Sequence, residues 1–295
     1  MKVESSPASY PLCRVADLLA DASALLAETH GFDKRVARME ARVLAAYAWG
    51  VAPSWLIAHD TDRPSPAQIS RFYSGLKRRL EGEPIAYITG YREFYGREFD
   101  VTPDVLIPRP ETELLVELAL ARMPIGRALE VLDLGTGSGC VAISLALERP
   151  DAHITAVDNT RKALAIADRN KQKWRAQITL LESNWFSALT NRKFDLIVGN
   201  PPYIAETDPH LLSGDVRFEP LSALQSRQHG MDALHHIIQV AHPFLNVGGY
   251  LLLEHGYNQR SPVQEAFRLA GFTGLHTYQD IAGHDRVSIG ANPSE

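Results

Sequence analysis

The chain has 295 residues, 45% of them apolar and 22% charged, and a formal net charge of −5. That is enough for two globular domains and argues against a general affinity for nucleic acid backbones. The two cysteines, Cys13 and Cys140, stand far apart with no CxxC pair, which supports neither a disulfide framework nor a zinc site. Met1 to Pro11 is polar and no run of about eighteen apolar residues occurs, so a cytoplasmic protein in a reducing compartment is expected.

From Val15, the apolar residues Leu18, Leu19, Ala22, Leu25 and Leu26 recur at helical spacing up to a His30-Gly31 stop. Asp33 can cap a second helix with the stripe Val36, Met39, Val43, Leu44 and Tyr47, ended by Gly50 and Pro53. Ser54 caps a short turn through Leu56. After Pro64 and Pro66 a third long helix carries Ile69, Phe72, Tyr73, Leu76 and Leu80 on one side. Lys77, Arg78 and Arg79 near its end are expected on a solvated face, interacting with the helix carboxyl terminus. Residues 1–84 thus read as a small helical bundle domain. It has no catalytic signature, which leaves partner recognition or scaffolding as its role.

At Gly82-Glu83-Pro84 the pattern changes. Between Ile85 and Val101 the chain is aromatic and β-prone, broken by Gly90 and Gly96, and residues 85–107 are expected to be a β-hairpin linker. Pro103, Pro108 and Pro110 stiffen its end, and Glu111 to Arg122 resumes helical periodicity. From there strands and helices alternate. Leu129 to Leu134, His153 to Val157, Ile178 to Leu181, Phe194 to Val198 and Tyr250 to Leu253 read as strands. Cys140 to Glu148, Arg161 to Trp174 and Met231 to Leu245 read as helices between them. Such alternation implies right-handed crossovers and a mostly parallel sheet covered on both faces. Gly274 to Gly290 reads as an antiparallel hairpin on one sheet edge, making residues 108–295 an α/β domain.

Three short stretches carry chemistry. Asn200-Pro201-Pro202-Tyr203 follows an apolar strand, and ligands of open α/β sheets bind at strand carboxyl ends. Two prolines fix φ and remove two N–H donors while every carbonyl remains, so the result is a rigid ledge that mostly accepts hydrogen bonds. Such a ledge suits a flat group bearing N–H, either an amide or an exocyclic amine. The second stretch, Gly135-Thr136-Gly137-Ser138-Gly139, joins the first strand to its helix with glycines at alternate positions, so the backbone can turn sharply and approach a ligand. Cys140 stands where the nicotinamide fingerprint requires glycine, which points to a ligand other than a dinucleotide. The third is Asp158, ending the next strand about twenty residues on, where a carboxylate can accept both hydroxyls of a ribose. The histidines offer no metal set: His235 and His236 are adjacent, about 100° apart on a helix, and no HExxH is present.

The glycine loop, the acid and Asn-Pro-Pro-Tyr together resemble the Rossmann-like class I S-adenosylmethionine-dependent methyltransferases, in which this version of the motif belongs to members that methylate planar nitrogens. Gly82-Glu83-Pro84-Ile85-Ala86-Tyr87, Ile107-Pro108-Arg109-Pro110-Glu111-Thr112-Glu113, Asn184-Trp185-Phe186, Gly214 to Pro220 and Leu251 to Gly256 extend the resemblance to the bacterial release factor glutamine methyltransferase family. It covers nearly the whole chain and is weakest in the helical bundle. The resemblance implies a helical amino-terminal domain, a hairpin linker and a methyltransferase domain with a mostly parallel seven-stranded sheet and an antiparallel edge hairpin. It implies S-adenosyl-L-methionine as cofactor. As substrate it implies the glutamine of the Gly-Gly-Gln motif of class I peptide chain release factors. Carried over by position, Gly135, Thr136, Gly137, Ser138 and Gly139 hold the methionine portion, Asp158 the ribose, and Trp185 lies by the adenine. Asn200, Pro201, Pro202 and Tyr203 hold the substrate glutamine, with Asn200 also beside the cofactor. Asn184 departs from the family's aspartate before the tryptophan, which implies either a weaker hold on adenine or a neighbouring group in its place, and Asn159-Thr160 departs mildly after the second-strand acid.

A sister family that modifies a glutamine of a large-subunit ribosomal protein shares Asn-Pro-Pro-Tyr, but the Pro-Glu-Thr-Glu here favours the release factor branch. An adenine-specific DNA methyltransferase needs a duplex-binding surface, which the net charge of −5 does not suggest. A catalytically idle protein that binds a translation factor is the reading from another class, and the intact glycine loop, Asp158 and Asn-Pro-Pro-Tyr speak against it. Arg217 and Glu219, in the loop after the ledge, are expected either as a lid over the glutamine or as a surface ion pair that orders the loop.

Overall fold

The computed structural model describes residues 13–293, so the polar stretch Met1 to Pro11 lies outside the described residues. Two compact units divide after Gly90.

The first unit is helical, with α1 (Val15–His30), α2 (Lys34–Trp49), the single turn α3 (Trp55–Ala58), α4 (Pro66–Leu80) and α5 (Ile85–Thr89). Asp33 caps α2, its carboxylate accepting from the N–H groups of Arg35 and Val36 at 2.7 and 2.9 Å. Ser65 and Gln68 cap α4 reciprocally. Leu18, Leu26, Leu44, Phe72 and Leu76 meet in one core.

Three details differ from the sequence reading. The buried stripe of α2 is Ala37, Ala41, Leu44, Ala45 and Ala48, while Met39 and Tyr47 are exposed. The helical period holds but the buried face is rotated by about one residue, because small side chains let α2 approach its neighbours closely. Arg79 is 3% exposed rather than solvated. Its Nε and Nη2 donate to the Glu40 carboxylate at 2.8 and 3.2 Å, and Nη1 donates to the Glu83 carbonyl at 3.2 Å. A guanidinium taken out of water demands such partners. Ile85–Thr89 is a helical turn and not a hairpin arm: Thr89 Oγ1 donates to the Ile85 carbonyl at 3.0 Å, and Gly90 ends the turn in the left-handed region.

The second unit opens with the hairpin β1 (Tyr91–Phe94) and β2 (Arg97–Asp100). There follow α6 (Glu113–Leu120), β3 (Glu130–Leu134), α7 (Cys140–Glu148), β4 (His153–Asp158), α8 (Arg161–Trp174), β5 (Ile178–Glu182) and β6 (Phe194–Gly199). A long excursion holds β7 (Ile204–Ala205), α9 (Leu221–Leu224), β8 (Gln225–Ser226) and the irregular turn α10 (Arg227–Gly230), in which Gln228 and His229 have φ of 51° and 57°. The chain closes with α11 (Asp232–Val240), β9 (Leu245–Glu254), α12 (Arg260–Leu269), β10 (Thr273–Gln279) and β11 (Asp285–Ala291).

Seven strands form one sheet in the order β10-β11-β9-β6-β3-β4-β5. β9, β6, β3, β4 and β5 are parallel, and β11 and β10 add an antiparallel edge. Alternate residues face opposite sides. Val131, Leu196 and Val198 point to a core shared with Leu115 and Val116 of α6 and Ile143 and Leu145 of α7, together with Phe94 and Phe99 of the hairpin. Leu132, Leu134 and Ile197 point to a second core with Leu234 and Ile238 of α11 and Val263 and Phe267 of α12. With both faces covered, the strands read as the continuous apolar runs seen in the sequence. Trp174 and Phe244 both pack, Trp174 against the first core and Phe244 stacked on Phe186. α12 was not foreseen, although Pro262 in its first turn is a start signal.

Candidate active site

Three loops converge at the carboxyl ends of β3, β4 and β6, where the order of connection reverses about β3. After β3, Gly135, Gly137 and Gly139 have φ of 71°, 55° and 82°, a region that side chains enter only with strain. The N–H groups of Gly135 and Thr136 both donate to the Val157 carbonyl at 2.9 Å, tying the loop to β4. A Cβ at Gly139 would meet Ile143 Cδ1 at 3.0 Å, whereas Gly137 has nothing within 4 Å and lies open to the cleft. Thr136 Oγ1 donates to Asp133 Oδ2 at 2.7 Å, and burial pushes the Asp133 carboxyl up to about 7. Asn170, fully buried on α8 and not foreseen, donates through Nδ2 to the carbonyls of Ser138 and Asp100 at 2.8 and 3.0 Å. It fastens the glycine loop to the hairpin.

Asp158 braces the same loop. Its Oδ2 accepts from the Gly137 N–H at 3.0 Å, and its Oδ1 accepts from the N–H and hydroxyl of Thr160, both at 3.0 Å. Thr160, not Asp158, caps α8, with Oγ1 accepting from the Ala163 N–H at 3.3 Å. After β5, Trp185 takes φ of 51° and lays its ring where a Cβ on Gly135 would come within 3.5 Å. Asn184, Trp185, Asp158, Gly135, Gly137 and Asn200 border one cleft. Ser138, Thr136 and Asp133 border a narrower recess that also reaches Asn200. Open glycine backbone, a flat indole and two carboxylates suit an adenosyl group that carries positive charge, and disfavour phosphate.

Asn200 to Tyr203 lies between this cleft and a second one, bordered by Asn200, Pro201, Pro202, Tyr203, Arg109 and Glu254. Asn200 Nδ2 donates to Thr112 Oγ1 at 3.2 Å, which engages one of its two N–H groups and leaves Oδ1 as an acceptor. Tyr203 is held at both ends: its hydroxyl donates to Glu254 Oε1 at 3.3 Å, and its carbonyl accepts from Gln259 Nε2 at 3.0 Å. Gly230, at φ of 88°, passes so close that a Cβ there would lie 2.2 Å from that carbonyl. Burial, with the nearby Glu254 charge, raises the Tyr203 pKa and keeps the phenol protonated.

Glu219 is not part of a surface ion pair. It is buried and binds the Arg109 guanidinium, and its Oε2 accepts from the Ile107 N–H at 3.0 Å. Arg217 lies over the Phe218 ring. The loop after the ledge is therefore fastened to the Ile107 to Glu113 segment, a pairing across 110 residues that no local pattern announces. Glu254 and Thr112 also went unassigned from sequence, although both lie inside stretches that carry the family resemblance.

Among the described residues no group of three metal-binding side chains occurs, and no helix is long and apolar enough to cross a membrane. The model of the methyltransferase small domain matches residues 110–213, and that of the PrmC N-terminal domain matches residues 17–90. The chain is similar to the release factor glutamine methyltransferase of Salmonella typhimurium, 46% identical over 254 residues, which is 86% of this chain and 91% of that one. To its counterpart in Bordetella pertussis it is 46% identical over 259 residues, 88% and 96% of the two chains. Among solved structures, a methyltransferase from Pyrococcus furiosus, 18% identical, superposes with a TM-score of 0.52 over 74% of this chain and 98% of that one. At that distance the likeness speaks for the fold alone. Near-half identity across most of both sequences, with both family domains in order, shows that the chain belongs to the release factor glutamine methyltransferase family.

Proposed function

We propose that this protein transfers a methyl group from S-adenosyl-L-methionine to the side-chain amide nitrogen of the glutamine in the Gly-Gly-Gln motif of class I peptide chain release factors. The observation that carries this reading is the orientation of Asn200, whose Nδ2 donates to Thr112 while Oδ1 stays available at a residue bordering both clefts. An acceptor there suits a substrate nitrogen that brings N–H groups.

Gly135 to Gly139 would hold the methionine portion of the cofactor, Asp158 the ribose and Trp185 the adenine face. When bound, the cofactor supplies a methyl group activated on a sulfonium. An amide nitrogen is a poor nucleophile because its lone pair is delocalised into the carbonyl. Asn200 Oδ1 and the Pro201 carbonyl would accept its two N–H groups, fixing its direction and favouring the positive charge that grows on attack. Pro202 stiffens the ledge and Tyr203 walls off water. Holding reactants in line is worth roughly 7 to 11 kcal/mol, which suits a reaction without a strong base. The helical unit would recognise the body of the release factor.

The test is methyl transfer from labelled S-adenosylmethionine to a class I release factor, to its Gly-Gly-Gln glutamine-to-alanine variant, to a large-subunit ribosomal protein and to duplex DNA. Label on the wild-type factor alone is expected. Label on the ribosomal protein or on DNA would overturn the substrate assignment.

A further inference from the structure

Glu254 ends β9 beside the ledge. The parallel pairing runs Val198 with Leu252 and Gly199 with Leu253, so the next rung brings Glu254 level with Asn200. The residue is 1% exposed yet borders the second cleft. Its Oε1 is held by the Tyr203 hydroxyl, while Oε2 is buried with no donor in hydrogen-bonding geometry, the nearby Thr112 hydroxyl only favouring the charged form. A buried carboxyl oxygen without a donor is costly, and such groups call for an explanation. Here the residue that carries the unpaired oxygen borders a cleft whose other polar groups on the ledge are acceptors for N–H, and Oε2 lies just beneath that wall.

We propose that Glu254 is a substrate-binding residue whose Oε2 accepts an N–H of the glutamine-bearing loop in the second cleft. The inference rests on the methyl-transfer reading given above. A carboxylate in that place completes an acceptor set with Asn200 Oδ1 and the Pro201 carbonyl, and repels a glutamate brought to the same position. Specificity for an amide over an acid then comes from the cleft wall as well as from the ledge.

Ionisation of Glu254 is part of the device. Burial raises its carboxyl to about 7, opposed by the Thr112 hydroxyl, the Arg286 charge and the Tyr203 hydroxyl and reinforced by Glu111. Arg286 is itself shared with Asp280, at 3.3 Å. Asp133 titrates in the same range beside the cofactor recess, so the readout is the Michaelis constant for release factor at saturating cofactor, compared between wild type and Glu254→Gln. Gln can keep the Tyr203 contact while turning Oε2 into a donor.

Expected is a KM for release factor raised by about tenfold or more at pH 8, with cofactor affinity within about twofold of wild type and no loss of thermal midpoint. Wild-type KM should fall as pH rises from 6 to 8, and the variant should lose that dependence. A variant with wild-type KM and pH profile overturns the proposal. So does one whose cofactor affinity and thermal midpoint fall together, which marks a structural role. If Glu254→Gln does not fold, a wild-type KM that is constant from pH 6 to 8 overturns it equally. A wild-type protein that does not label release factor at all overturns the underlying reading instead.

Discussion

Asn200 turns Nδ2 toward the Thr112 hydroxyl, which leaves Oδ1 as the end of the carboxamide not engaged there. Asn200→Ala removes the oriented acceptor without touching the glycine loop. It should lower turnover below a tenth of wild type while S-adenosylmethionine affinity stays within about threefold, as read by steady-state kinetics beside calorimetry. Glu254 also leaves a signature in stability. Its carboxyl rises from 4.5 to about 7 on folding. The folded chain therefore keeps a proton that the unfolded chain releases in that interval, and the associated stability, complete below the unfolded value, is lost as pH rises through about 7. Glu254→Gln abolishes this loss. Its unfolding free energy relative to wild type should grow by roughly 2 to 3 kcal/mol between pH 5 and pH 8, since each tenfold change in proton affinity is worth about 1.4 kcal/mol. A difference between the two proteins that stays flat from pH 5 to 8 would show that Glu254 does not titrate there.

Elements meet at the site through pairs distant in sequence. Glu219, in the excursion between β6 and α11, reaches Arg109 and the Ile107 N–H ahead of α6. Removing the carboxylate leaves a buried N–H and a half-buried guanidinium without it, a cost of about 1 to 3 kcal/mol concentrated in the loop. Glu219→Ala should accelerate limited proteolysis between Pro209 and Phe218 and raise KM for release factor more than KM for cofactor. Unchanged cleavage would mean that the loop is held by other contacts. Asn170 acts at the same scale, joining α8, the glycine loop and the hairpin through one amide.

Each of the two units carries its own apolar core, one in residues 13–90 and a pair flanking the sheet in residues 91–293. Every residue assigned to cofactor or glutamine lies in the second. A chain of residues 91–295 should therefore fold, bind S-adenosylmethionine and methylate a short Gly-Gly-Gln peptide, while its methylation of intact release factor drops by about tenfold or more. Equal rates on the intact factor would remove partner recognition from the helical unit. That unit exposes Met39, Tyr47 and Ile57 at 58%, 49% and 62%, apolar surface suited to such a contact.

Much of this was legible in the chain itself. Continuous apolar runs alternating with 3.6-periodic segments determine a parallel sheet covered on both faces, and proline stiffness at Asn200 to Tyr203 and glycine freedom at Gly135 to Gly139 mark the candidate places for a ligand. These are short-range properties, set by the neighbours of each residue. The burial of Arg79 against Glu40, the pairing of Glu219 with Arg109 and the contact of Glu254 with Tyr203 join residues 39, 110 and 51 positions apart, and the buried face of α2 is likewise chosen by its tertiary neighbours. No periodicity encodes such pairings. They exist because folding removes water from charged and polar groups and leaves each one to find a partner among whatever the sheet brings within reach.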